Sequence, residues 1–74
     1  MRKLKRISGY ICIKILCNKF GFSVVRSRGS HVVLRYKNVG TVVPLHKELK
    51  FGTLKGILKL AKVSSEEFMK YLGK

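Results

Sequence analysis

The chain has 74 residues, with 17 Lys+Arg against 3 Asp+Glu and a net charge of +14. So short a chain buries only about 60 % of the surface its extended form exposes, enough for one thin core, which excludes a multidomain enzyme or a deeply walled cofactor pocket. Hydrophobic residues at 46 % exclude a disordered basic tail, and a positive charge this dense on a small folded surface calls for a polyanion or an acidic protein as partner.

The opening Met1-Arg2-Lys3-Leu4-Lys5-Arg6 and the apolar run after it superficially resemble a secretion signal. Lys14 interrupts that run, no small-residue cleavage site follows, and no stretch is long enough to span a bilayer, so a cytoplasmic protein that neither enters nor crosses a membrane is expected. Residues 1–74 are read as a single domain with a basic N-terminal arm over residues 1–6. Cys12 and Cys17 lie roughly 140° apart around a helix and cannot bridge there, so they are read as free thiols filling the core. Together with His31 and His46 they show no zinc spacing, and neither a metal nor a small-molecule cofactor is expected.

Ser8 is a plausible N-cap for a helix that runs to Lys19 or Phe20 and stops at Gly21. Cys12, Ile13, Leu16 and Phe20 form its core side, and Ile7, Ile11 and Ile15 form a second apolar stripe that faces either a partner chain or the N-terminal arm and sheet edge. Phe22 to Arg28 alternates as a first strand, with Phe22, Val24 and Arg26 on one side, and Gly29-Ser30 supplies the turn. In the second strand, His31 to Lys37, Val32, Leu34 and Tyr36 point one way and His31, Val33, Arg35 and Lys37 the other. Asn38 and Gly40 turn the chain into a third strand, Thr41-Val42-Val43, which Pro44 ends. A loop from Leu45 to Gly52 leads to a helix capped by Thr53, with Leu54, Ile57, Leu58 and Ala61 inside. Ser64-Ser65-Glu66-Glu67 is a capping box, with Val63 and Phe68 as its staple, for a last short helix. The fold class is therefore α+β, in the order α-β-β-β-α(-α): a three-stranded antiparallel sheet with helices packed on one face and the other face left for function.

That free face carries His31, Arg35 and Lys37 in one row. A histidine titrates near neutrality and can take a proton from a ribose 2′-hydroxyl, while cations hold the phosphate as charge builds on it. The same residues also suit a surface that binds RNA without cutting it. His46 is either a second acid in the chemistry or a loop residue that contacts phosphate, and Lys47, Lys50, Lys55 and Lys59 extend the basic footprint or simply remain solvated. The acids Glu48, Glu66 and Glu67 do not form a carboxylate pair for Mg²⁺.

Gly21-Phe22, Arg26-Ser27-Arg28-Gly29-Ser30-His31, Val42-Val43-Pro44-Leu45-His46 and Lys47-Glu48-Leu49-Lys50-Phe51-Gly52-Thr53-Leu54 together resemble the HicA toxin family in order and spacing, over about residues 8–72. The resemblance implies a double-stranded-RNA-binding-like fold and an mRNA interferase, a ribosome-independent endoribonuclease restrained by an acidic HicB-type antitoxin. The family's catalytic histidine matches His31, with Gly29 and Ser30 in the turn before it; Arg28, Arg35, Lys37, His46, Lys47 and Lys50 are the expected RNA contacts, and Ile7, Ile11 and Ile15 a candidate partner contact. Many members carry a second histidine where this chain has Val32, a position that strand alternation turns toward the core. Tyr10, Ile11 and Cys17 replace residues that are usually more polar, which favours life in a complex. A non-catalytic RNA-binding module is the alternative.

Overall fold

A computed structural model of the chain describes residues 6–72, so most of the basic arm, residues 1–5, lies outside the described part. The elements follow the expected order: α1 (Gly9–Lys19), β1 (Ser23–Arg28), β2 (His31–Tyr36), β3 (Val39–Pro44), α2 (Phe51–Ala61) and α3 (Ser65–Met69). The strands form an antiparallel sheet ordered β1-β2-β3. Connections of two residues leave the chain no option but to turn back on the strand it has just left.

Local chemistry accounts for the element ends. The Ser8 hydroxyl accepts from the Ile11 N–H at 3.2 Å and starts α1, and Gly21 ends it with a φ of 80°. The Ser64 hydroxyl likewise accepts from the Glu67 N–H at 3.1 Å and starts α3. α2 departs from expectation: its N-cap is Lys50, with no side-chain cap, and Thr53 already lies inside the helix. The reason is Leu49, which is fully buried and donates its N–H to the Ile7 carbonyl at 2.7 Å. That anchor turns the chain inward before Thr53 is reached, and Arg6 stacks over the Phe51 ring at 5.5 Å from its centroid. Gly40, expected in a turn, instead lies within β3 opposite Arg35.

Leu16, Leu34, Val43, Leu49, Leu54, Leu58 and Phe68 are fully buried between the helices and one face of the sheet. At about 2 kcal/mol for each large aliphatic side chain removed from water, this layer is what offsets the entropy of ordering a small chain. Thr41 is the one buried polar residue among those described; its hydroxyl donates to the Ile57 carbonyl at 2.9 Å and ties β3 to α2. Cys12 and Cys17 are free, as expected. Burial pushes the Cys12 thiol up to about 12 and also raises that of Cys17, so both stay un-ionised at neutral pH and serve as packing. The helices do not cover the whole sheet, because every residue of β1 is exposed.

The second apolar stripe of α1 divides. Ile15 is buried in the core and Ile7 is half-buried against it, leaving Ile11 exposed at 45 %. Ile13 and Phe20, expected on the core side, are only partly buried. The helix is rotated so that Gly9, Cys12, Ile15 and Leu16 face inward, and Gly9 sets that rotation. Its N–H donates to the His46 carbonyl at 2.9 Å, and a Cβ added there would overlap the Pro44 carbonyl oxygen. Gly9→Ala must therefore move α1 off the sheet. A loss of about 2 kcal/mol or more in chemical denaturation is expected, and a variant as stable as the parent would contradict this packing.

Candidate nucleic-acid interface

β2 carries the candidate site. Val32 and Leu34 face the core, so His31, Val33 and Arg35 face the open side of the sheet. Each heads a rung: His31 lies between Arg28 on β1 and Pro44 on β3, Val33 between Arg26 and Val42, and Arg35 between Ser23 and Gly40. Residues directly opposite on antiparallel strands share a face with Cβ atoms about 5 Å apart, so Arg28 is the immediate neighbour of His31. Arg35 stands about 13 Å further along the strand, roughly two phosphate spacings away. Gly40 offers no side chain opposite it, which leaves that flank of the guanidinium open. His31, Arg26, Arg28 and Arg35 are all exposed.

Arg26 was not among the expected contacts. Simple alternation along Phe22, Val24 and Arg26 places all three on one side, but a bulge between Val24 and Arg26 reverses the phase. Val24 therefore pairs with Leu34 on the core side, and Arg26 joins Arg28 on the open side.

Lys37 corrects the expectation in the other direction. It lies in the turn after β2 with a φ of 56°, and its ammonium sits 5.3 Å from the centre of the Tyr36 ring. That turn takes it out of the row with His31 and Arg35. Tyr36, which shares a side of β2 with Val32 and Leu34, sits at the margin of the core, 40 % exposed and tilted against Phe22.

The turn at the other end of β2 is built for display. Gly29 has a φ of 57° while Ser30 does not have positive φ, the pattern of a two-residue II′ hairpin, which matches the twist of the strands it joins. The Ser30 carbonyl then accepts from the Leu45 N–H at 2.6 Å. This bond extends the β2–β3 pairing one step past Pro44 and brings the segment containing His46 to the same end of the sheet as His31. His46, Lys47 and Lys50 are exposed along that segment. The positive dipole end of α1 abuts it through Gly9, whose N–H is bonded to the His46 carbonyl. Histidines 15 residues apart in sequence thus share one cationic corner with Arg28. Among the described residues, no three His, Cys, Asp or Glu side chains stand close enough together to hold a metal ion. No described helix is long and apolar enough to cross a membrane.

A family model described as the HicA toxin of bacterial toxin-antitoxin matches residues 12–63, from the core of α1 to just past α2. The chain belongs to the HicA toxin family. The match takes in all three strands and both histidines, so the whole open face lies within the family region. As a HicA toxin, the chain has an antitoxin as the general kind of partner. No curated protein and no solved structure matches the sequence.

A Cβ at Gly29 would meet no neighbouring atom, so the glycine is needed for its backbone conformation and not for space. Gly29→Ala is expected to cost about 1 kcal/mol in chemical denaturation. A stability gain would mean that the turn accepts an L side chain and that the II′ assignment is wrong.

Proposed function

We propose that the chain is the toxin of a type II system and acts as a ribosome-independent mRNA endoribonuclease whose chemistry needs no metal. The pairing of His31 with Arg28 on one open rung carries this reading, because it sets an imidazole, which can exchange a proton with substrate, beside a fork of phosphate donors. His31 takes the proton from a ribose 2′-hydroxyl. The freed oxygen attacks the adjacent phosphorus as the bond to the 5′-oxygen of the next nucleotide breaks, that oxygen takes a proton from solvent, and the products carry a 2′,3′-cyclic phosphate and a 5′-hydroxyl, with His31 returning its proton to water. Arg28 and Arg35 hold the non-bridging oxygens as charge grows on them. The Gly29-Ser30 turn, His46, Lys47 and Lys50 extend the contact along the RNA backbone.

The donor set supports metal-free chemistry. The acids lie off the strands: Glu48 is 3.6 Å from Arg6, Glu67 is 3.4 Å from Lys70, and Glu66 stands in the first turn of α3. None is on the open face, where carboxylates would be needed to bind Mg²⁺. An acidic HicB-type antitoxin covering the cationic face in the cytoplasm accounts for the +14 charge.

A second reading, a non-catalytic RNA-binding module, has one observation in its favour. Among the described residues, no side chain hydrogen-bonds the His31 imidazole to fix its orientation. Both readings give salt-sensitive RNA binding, so binding does not separate them. Cleavage of end-labelled mRNA in EDTA by the purified chain and by folded His31→Ala does. The proposal expects the parent to cut, leaving cyclic phosphate ends, and the variant to lose at least about a hundredfold in rate, the usual contribution of a general base. Equal cutting by both, or 3′-hydroxyl ends, would refute the role of His31, and binding without cutting by either would establish the module.

A further inference from the structure

The helical layer, on the far side of the sheet from His31, carries a groove of about 620 Å³ that the RNA chemistry does not use. It lies between the outer face of α1 and the turn that follows α3. Ile11, Ile15 and Tyr71 give it an apolar floor, interrupted by the polar Asn18, and Lys14, Lys19 and Lys70 stand around it. Ile11 is 45 % exposed and Tyr71 37 %, an apolar pair left open to water on a chain that has few residues to spare for its core. The groove has a firm wall: the Phe20 ring meets Tyr71 edge-on at 5.7 Å, and the Lys19 ammonium sits 5.4 Å from the centre of the same ring.

We infer that this groove docks an acidic amphipathic helix of a partner protein. The lining that α1 supplies, from Ile11 to Lys19, runs for about 12 Å, two helical turns, which matches the span of i, i+4 and i+7 anchors. Cations on both flanks of an apolar floor are complementary to glutamates on both flanks of an apolar stripe. A second copy of this chain does not fit, because its three acids form no such pattern and its charge of +14 repels. Strand addition does not fit either, since helix α1 and the turn have their backbone groups paired and present no sheet edge. The Lys70 ammonium does lie 3.4 Å from Glu67, but that pair is well exposed and readily exchanged for a partner's carboxylate. A protein seated here leaves the open sheet face uncovered, so the chain can hold a partner and RNA together. This docking is independent of whether His31 cuts RNA.

The test is amide chemical-shift mapping on the isotope-labelled full chain at low salt, with a stapled helical peptide bearing leucines at i, i+4 and i+7 and glutamates on both sides. A peptide of the same composition in scrambled order is the control. Shifts are expected at Ile11, Lys14, Asn18, Lys19 and Tyr71 and not at His31, with binding about tenfold weaker for the scrambled peptide and for Ile11→Glu. Ile11 is exposed, so that variant should keep its fold, which unchanged shifts in the sheet would verify. Equal binding of the scrambled peptide would reduce the groove to nonspecific charge. Shifts on the open sheet face, groove shifts driven instead by an RNA oligonucleotide, or no shifts at millimolar peptide would each overturn the inference.

Discussion

The site depends on one close approach: the Gly9 N–H reaching the His46 carbonyl while its bare Cα rests on the Pro44 carbonyl. A neighbouring bond, from the Leu45 N–H to the Ser30 carbonyl, fixes the same strip of chain against the start of β2. The Leu49 N–H bonded to Ile7 closes it from below. Together these bonds hold the start of α1, the end of β3 and the hairpin before His31 at one corner, which no single element would place there alone. A small core cannot achieve this by apolar packing, which has no direction; backbone hydrogen bonds between fixed partners can.

The rest of the architecture divides the labour between two faces. The helical layer takes nearly all of the buried apolar surface, so the open face is free to carry Arg26, Arg28, His31 and Arg35 without removing any of them from water. Exposed arginines contribute little to folding and repel each other, yet they remain open to an anionic partner. The fold bears that repulsion on one side and keeps its cohesion on the other. β1, exposed along its whole length, is the cost of a sheet wider than the helices that cover it.

Much of the fold was legible in the sequence, because it rests on periodicity and punctuation. Val32 and Leu34 alternating with His31 and Arg35, the Ser64 cap with Glu67, and the Gly29-Ser30 turn all specify local geometry that the surroundings do not overrule. The misplaced features depend on long-range contacts. Thr53 looks like a helix start until Leu49 is seen to anchor to Ile7, far away in sequence. Arg26 looks core-facing until the bulge at Val25 shifts the strand by one residue, and no residue type announces a bulge there. Lys37 fits the alternation of β2, but the turn claims it, because the pairing of Tyr36 with Val39 leaves only two residues to reverse the chain. Ile7, Ile11 and Ile15 share a stripe, but the rotation fixed by Gly9 sends Ile15 inward and leaves Ile11 out. A glycine directly after a good N-cap, where a stronger helix former would usually stand, was the signal of that close approach.

The account turns on a ribose 2′-hydroxyl being the attacking group at the corner held by His31 and Arg28. The direct test is single-turnover cleavage of a short RNA beside the same RNA carrying one 2′-deoxy nucleotide on the 5′ side of the cut, with binding measured in parallel. Cleavage at that bond should vanish while affinity stays the same. Continued cutting of the deoxy substrate there would mean that an activated water or another nucleophile does the work, and that the chemistry assigned to His31 is wrong.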